Sequence, residues 1–69
     1  MKDKAFQNAA TQLYNSGDAS YKSYKYEDAL EDFELSYKYD KSYSTQYQIA
    51  RCYTKLNKNT EKAKEYFYD

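Results

Sequence analysis

Residues 27–33 read EDALEDF, and residues 61–67 read EKAKEYF, so Glu, Ala, Glu and Phe return in the same order after 34 positions. Self-similarity at a fixed period of this size is the mark of a helical repeat, in which each unit buries its apolar face against the next. Within the first copy, Ala29, Leu30 and Phe33 are spaced at three and four, together with Ser36 and Tyr37 further on. That spacing places them on one helical face, with Glu31, Asp32, Glu34 and Lys38 pointing elsewhere. Glu27 and Asp28 stand where acidic side chains favour the positive end of a helix. A helix from there to about Tyr39 is therefore expected.

Outward from this segment, the chain divides into further helices. Upstream, Phe6, Ala9, Ala10, Leu13, Gly17, Tyr21 and Tyr24 fall at helical spacing and predict a first helix, with a turn at 23–26. A glycine inside a helix costs about 1 kcal/mol against alanine, so Gly17 is expected where another backbone passes close by. Downstream, 40–44 lacks a stripe and forms a loop in which Ser42 or Ser44 is available as a cap. Tyr43, Tyr47, Ala50, Tyr53 and Leu56 then mark a third helix. Asn59 or Thr60 can cap a fourth, which carries Ala63, Tyr66 and Phe67. No strand pattern is present. The expected fold is all-α, with two antiparallel helix hairpins.

Composition narrows the function. Sixty-nine residues form one small domain, which buries only about 60% of the surface of its unfolded chain. The mean hydropathy of -1.26 is polar for a folded protein, but 11 residues are tyrosine, whose rings bury while their hydroxyls stay wet. Net charge is zero, against a general nucleic-acid binder, which needs cationic surplus. No apolar run approaches the roughly 20 residues needed to cross a bilayer. The lone Cys52 fits a reducing, cytoplasmic setting. Histidine is absent, removing Ser-His-Asp and Cys-His chemistry. Asp28, Glu31 and Asp32 lack the loop glycine of a calcium site. Neither catalysis nor a cofactor is expected.

With its period of 34 and the alanine and aromatic positions of its second helices, the chain resembles the tetratricopeptide repeat (TPR) family. The resemblance spans 10–67 within a single domain of 1–69, with a first repeat at about 10–43 and a truncated second at about 44–69. Gly17, Ala29 and Phe33 match the family's small and aromatic positions in the first unit, and Ala50, Ala63 and Phe67 match them in the second, with Tyr53 at the first-helix tyrosine. Ser16, Ser20, Ser36 and Lys41 depart from the pattern and imply a loosely packed first unit. The second unit's turn holds one extra residue within 57–60. This longer turn and the 39–44 loop are also similar to repeats of bacterial envelope proteins of the family.

The resemblance implies a non-catalytic α-solenoid fragment that holds a peptide or helix of a partner protein on its concave face. Carried over residue by residue, that face is Thr11, Tyr14, Asn15, Asp18, Tyr21 and Lys22 in the first unit, then Tyr47, Gln48, Arg51, Thr54 and Lys55 in the second. The Lys and Asn with which one subclass clamps chaperone tails are replaced by Tyr14 and Asp18, and an acidic Asp18 would repel a terminal carboxylate. A second expectation concerns the ends. Fewer than two complete units closing on Tyr66, Phe67 and Tyr68 leave an uncovered face, which a homodimer or a longer array would cover.

Charge is segregated as well. Residues 1–23 sum to +1 (three basic, two acidic), 24–40 to -4 (two, six) and 41–69 to +3 (six, three). The acidic second helix is thereby expected to complement its neighbours or a basic ligand.

Overall fold

A computed structural model describes residues 4–56. The expected fourth helix with Ala63 and Phe67, the lengthened turn at 57–60 and the aromatic end at 66–68 lie outside the described residues. Three helices follow one another, α1 (Lys4–Lys22), α2 (Tyr26–Tyr39) and α3 (Tyr43–Leu56), and the described residues contain no strand. No helix among them is long and apolar enough to cross a membrane.

Each boundary has a local cause. At the end of α1 the Lys25 N–H donates to the Ser20 carbonyl (2.9 Å) and the Tyr24 N–H to that of Tyr21 (3.1 Å). This is the paired closure that requires a left-handed residue after the helix, usually glycine. Here Tyr24 takes that place at φ 64°. Tyr24 is thus not the last member of the α1 stripe but the strained residue of the turn. Lys25 gives α2 no side-chain cap, and Glu27 and Asp28 in its first turn meet the positive helix end instead. Ser42 caps α3, its Oγ accepting the Thr45 N–H at 3.2 Å.

α1 and α2 run antiparallel, since Phe6 meets Tyr39, Ala10 meets Ser36, Gly17 meets Phe33 and Tyr21 meets Tyr26, partners falling as positions rise. At the crossing, the neighbour of Gly17 is a ring rather than the expected backbone. A Cβ there would lie 3.0 Å from two Phe33 ring carbons. Phe33 and Ala29 are fully buried, and burying a ring of this kind is worth about 1.5–3 kcal/mol. The serines expected to loosen this pair tie it instead. The buried Ser36 Oγ donates to the Ala10 carbonyl at 2.7 Å, and Ser16 Oγ donates to Asp32 at 2.8 Å.

α3 packs against α2 through Ile49 and Cys52, both fully buried, and also buries Ala50, Thr45 and Gln46. Its Tyr53 hydroxyl donates to Glu34 at 3.1 Å. The buried face is therefore rotated from the tyrosine stripe read in the sequence, because Tyr43 and Tyr47 are 84% and 54% exposed. Phe6, at 51%, likewise sits at the margin of α1 rather than in the core.

Candidate functional site

α1 and α3 reach each other across one side of α2 by side chains that form a continuous chain of contacts. The Tyr14 ring stands edge-on to Phe33, centroids 5.2 Å apart, which fixes where its hydroxyl points. That hydroxyl is 3.2 Å from Ser44 Oγ and accepts a hydrogen bond from Gln48 Nε2, also at 3.2 Å. Gln48 Oε1 in turn accepts from Arg51 Nη1 at 3.1 Å. The Arg51 guanidinium lies 4.5 Å from the centre of the Tyr21 ring and 5.7 Å from that of Tyr47, within the range of cation–π attraction. Tyr14 meets Ser44 and Gln48 while Tyr21 meets Arg51, so positions rise together along both helices. The two run parallel, and their facing sides make one surface.

Of the eleven residues expected on this surface, five (Tyr14, Tyr21, Tyr47, Gln48 and Arg51) belong to that chain. Asp18 and Lys22 pair at 3.0 Å one helical turn apart on α1, an exposed contact worth about 0–1 kcal/mol. They border a cleft of about 350 Å³ at the C-terminal end of the surface, shared with Tyr21, Tyr24, Tyr26, Arg51 and Lys55. Thr54 borders the adjoining cleft beside Arg51 and Lys55, with its hydroxyl returned to the Ala50 carbonyl at 3.0 Å. Thr11 lies at the opposite end, in a cleft of about 220 Å³ rich in hydroxyls (Tyr14, Ser36, Ser42, Ser44 and Thr45). Its own hydroxyl donates to the Gln7 carbonyl at 3.0 Å. Asn15 is exposed on α1.

Three participants escaped the sequence reading. Ser44 was expected to cap or lie in the loop, yet it bonds Tyr14. Tyr24 and Tyr26 were assigned to a stripe and a turn, yet they wall the C-terminal cleft. The signal for Ser44 was present, since it lies one turn before Gln48 on the same helical face.

Cys52 belongs to the core and not to the surface. Burial raises its pKa from the ordinary 9.0 to about 11, against a lowering by the Arg51 cation and with a further raising by Glu34. A thiol so placed is a poor nucleophile.

In comparisons with known proteins, no family model, no curated protein and no solved structure matches the chain.

Proposed function

We propose that this chain is a non-catalytic adaptor of the TPR type, which holds an extended or helical segment of a partner protein along the surface shared by α1 and α3. The supporting observation is the parallel pairing of those helices through Tyr14, Gln48, Arg51 and Tyr21. It aligns half-exposed tyrosines and a cation in a continuous row open to solvent. Tyr and Arg are the residues that most often carry binding energy at protein interfaces, offering large area with directional hydrogen bonds. The all-helical packing of the described residues and the 34-residue period of the sequence supply the rest of the reading.

The test compares faces. A photo-cross-linking amino acid is placed at Tyr47 or Thr54 on the shared surface, or at Glu31 or Lys38 on α2, in the cells that make the protein. Discrete adducts from 47 and 54 that vanish with Arg51→Glu, and none from 31 and 38, are expected. Adducts of equal yield from both faces, or adducts indifferent to Arg51→Glu, would remove the adaptor reading.

Self-association as the function is a second reading, favoured by one observation. Phe6 stacks on Tyr39 at 5.9 Å, and Leu35 lies one turn before Tyr39 on α2, all three substantially exposed. An apolar edge of this kind suits a further helix from a second copy.

A further inference from the structure

The partner-binding surface is not chemically uniform, and its C-terminal cleft carries a charge that no carboxylate among the described residues answers. Arg51 and Lys55 both border this cleft, and neither has a carboxylate partner among the described residues. The Arg51 side chain is half-buried and locked in place by Gln48 Oε1 and by the Tyr21 and Tyr47 rings, yet Gln48 engages only part of its donor set. Asp18, the one carboxylate bordering the cleft among the described residues, is taken by Lys22. Glu27 and Asp28 line the adjoining cleft with Lys25 and Leu56, beyond the Tyr24 and Tyr26 rings that the two clefts share. A fixed guanidinium with spare N–H groups is suited to a carboxylate, which it can grip through two parallel hydrogen bonds.

Tyr24 supplies an independent observation. Its backbone holds the left-handed conformation where glycine is favoured, while its ring, 80% exposed, stands at the rim of the same cleft. Strain of this sort persists at ligand clamps because the side chain is needed there. The internal return is small, an edge contact with Tyr26 at 6.3 Å.

Resting on the adaptor reading, we propose that the cleft selects acidic peptide segments, receiving an Asp or Glu side chain of the partner between Arg51 and Lys55, with Tyr24 as its aromatic wall. The charge complementarity is specific to this end of the surface. The opposite cleft is lined by hydroxyls and by Asp40, and it has no cation among the described residues.

A random dodecapeptide library displayed on phage is panned on the full 69-residue chain, and one recovered sequence is synthesised with its acidic residues intact or replaced by their amides. The expected recoveries are rich in Asp and Glu. The acidic peptide should bind roughly ten-fold or more weakly to Arg51→Gln, as loss of a charged hydrogen bond implies, and measurably more weakly to the exposed variant Lys55→Gln. Tyr24→Gly should melt at a higher temperature yet bind less, a pairing that general damage does not produce. Recovered peptides without acidic excess, or amide peptides that bind as well as acidic ones, would overturn the acid selectivity. If those peptides are nevertheless lost with Tyr47→Ala, the adaptor reading stands without it. Peptides indifferent to every substitution on the surface, or no recovery at all, would overturn both.

Discussion

Gly17, Tyr24 and Cys52 are three residues whose roles follow from what surrounds a single side chain. At Gly17 helix propensity favours alanine by about 1 kcal/mol, but the added methyl would press on a fully buried Phe33 ring at 3.0 Å, and overpacking costs about 1–3 kcal/mol. Crowding prevails, so Gly17→Ala should lower stability in urea denaturation; an increase would mean that the ring moves freely. Tyr24→Gly removes a left-handed side chain and should add about 1 kcal/mol by the same assay. For Cys52 the sign is set by its raised pKa. Below about pH 9 the thiol keeps its proton in both states, and its contribution to stability is present in full. Between about 9 and 11 the unfolded chain releases the proton while the folded one retains it, so this residue's contribution to stability is lost as pH rises. At pH 8 the thiol should react with Ellman's reagent only as fast as the structure opens, and an immediate reaction would contradict its burial. Gly17 was legible as a close approach, but its neighbour was not, because a sequence does not say whether ring or backbone fills the space a glycine leaves.

Among the elements, α2 was the most legible and α3 the least. Ala29, Leu30, Phe33 and Tyr37, the apolar residues of the expected stripe of α2, all lie on its covered side, while Leu35 and Tyr39 outside that stripe are exposed. In α3 four positions of the expected stripe are large residues, yet a tyrosine tolerates a wet site: Tyr47 is half-exposed and Tyr43 almost fully so. Ile49 and Cys52 were the better guides, being the residues of α3 with least reason to face water. Thr45 and Gln46 complete the covered side because the Ser42 cap brings the first turn of α3 down beside α2. The bridge between α1 and α3 gives a test with two graded outcomes. Tyr14→Phe keeps the ring against Phe33 and removes the bonds to Ser44 and Gln48, so it should cost about 1 kcal/mol or less. Tyr14→Ala also empties the space beside Phe33 and should cost about 3 kcal/mol or more. Equal losses on denaturation would mean that the hydroxyl, not the ring, positions this residue. For the same reason Tyr14→Ala is a poor probe of binding, and Arg51 and Lys55 are better ones.

For the whole molecule, the repeated segment led to an all-helical chain of short hairpin turns, and the described residues have that character. The shared surface was legible as a set of residues, since Tyr14, Tyr21, Gln48 and Arg51 were all expected on it. Its internal wiring was not, because contacts between side chains 30 or more positions apart depend on how two helices are rotated about their axes. Molar mass measured by light scattering over a dilution series addresses the apolar edge at Phe6, Leu35 and Tyr39. A mass that halves on dilution, and stays at the monomer value with Phe6→Ser, is expected if that edge pairs two copies; a constant monomer mass in the unsubstituted chain would dispose of self-association. The central claim, that α1 and α3 present one joined face, is tested most directly at Arg51 by a nuclear Overhauser spectrum of the full chain. Cross-peaks from the Arg51 δ-methylene to the rings of both Tyr21 and Tyr47 are expected. Cross-peaks to Tyr47 alone, its neighbour one turn away on the same helix, would contradict the shared surface.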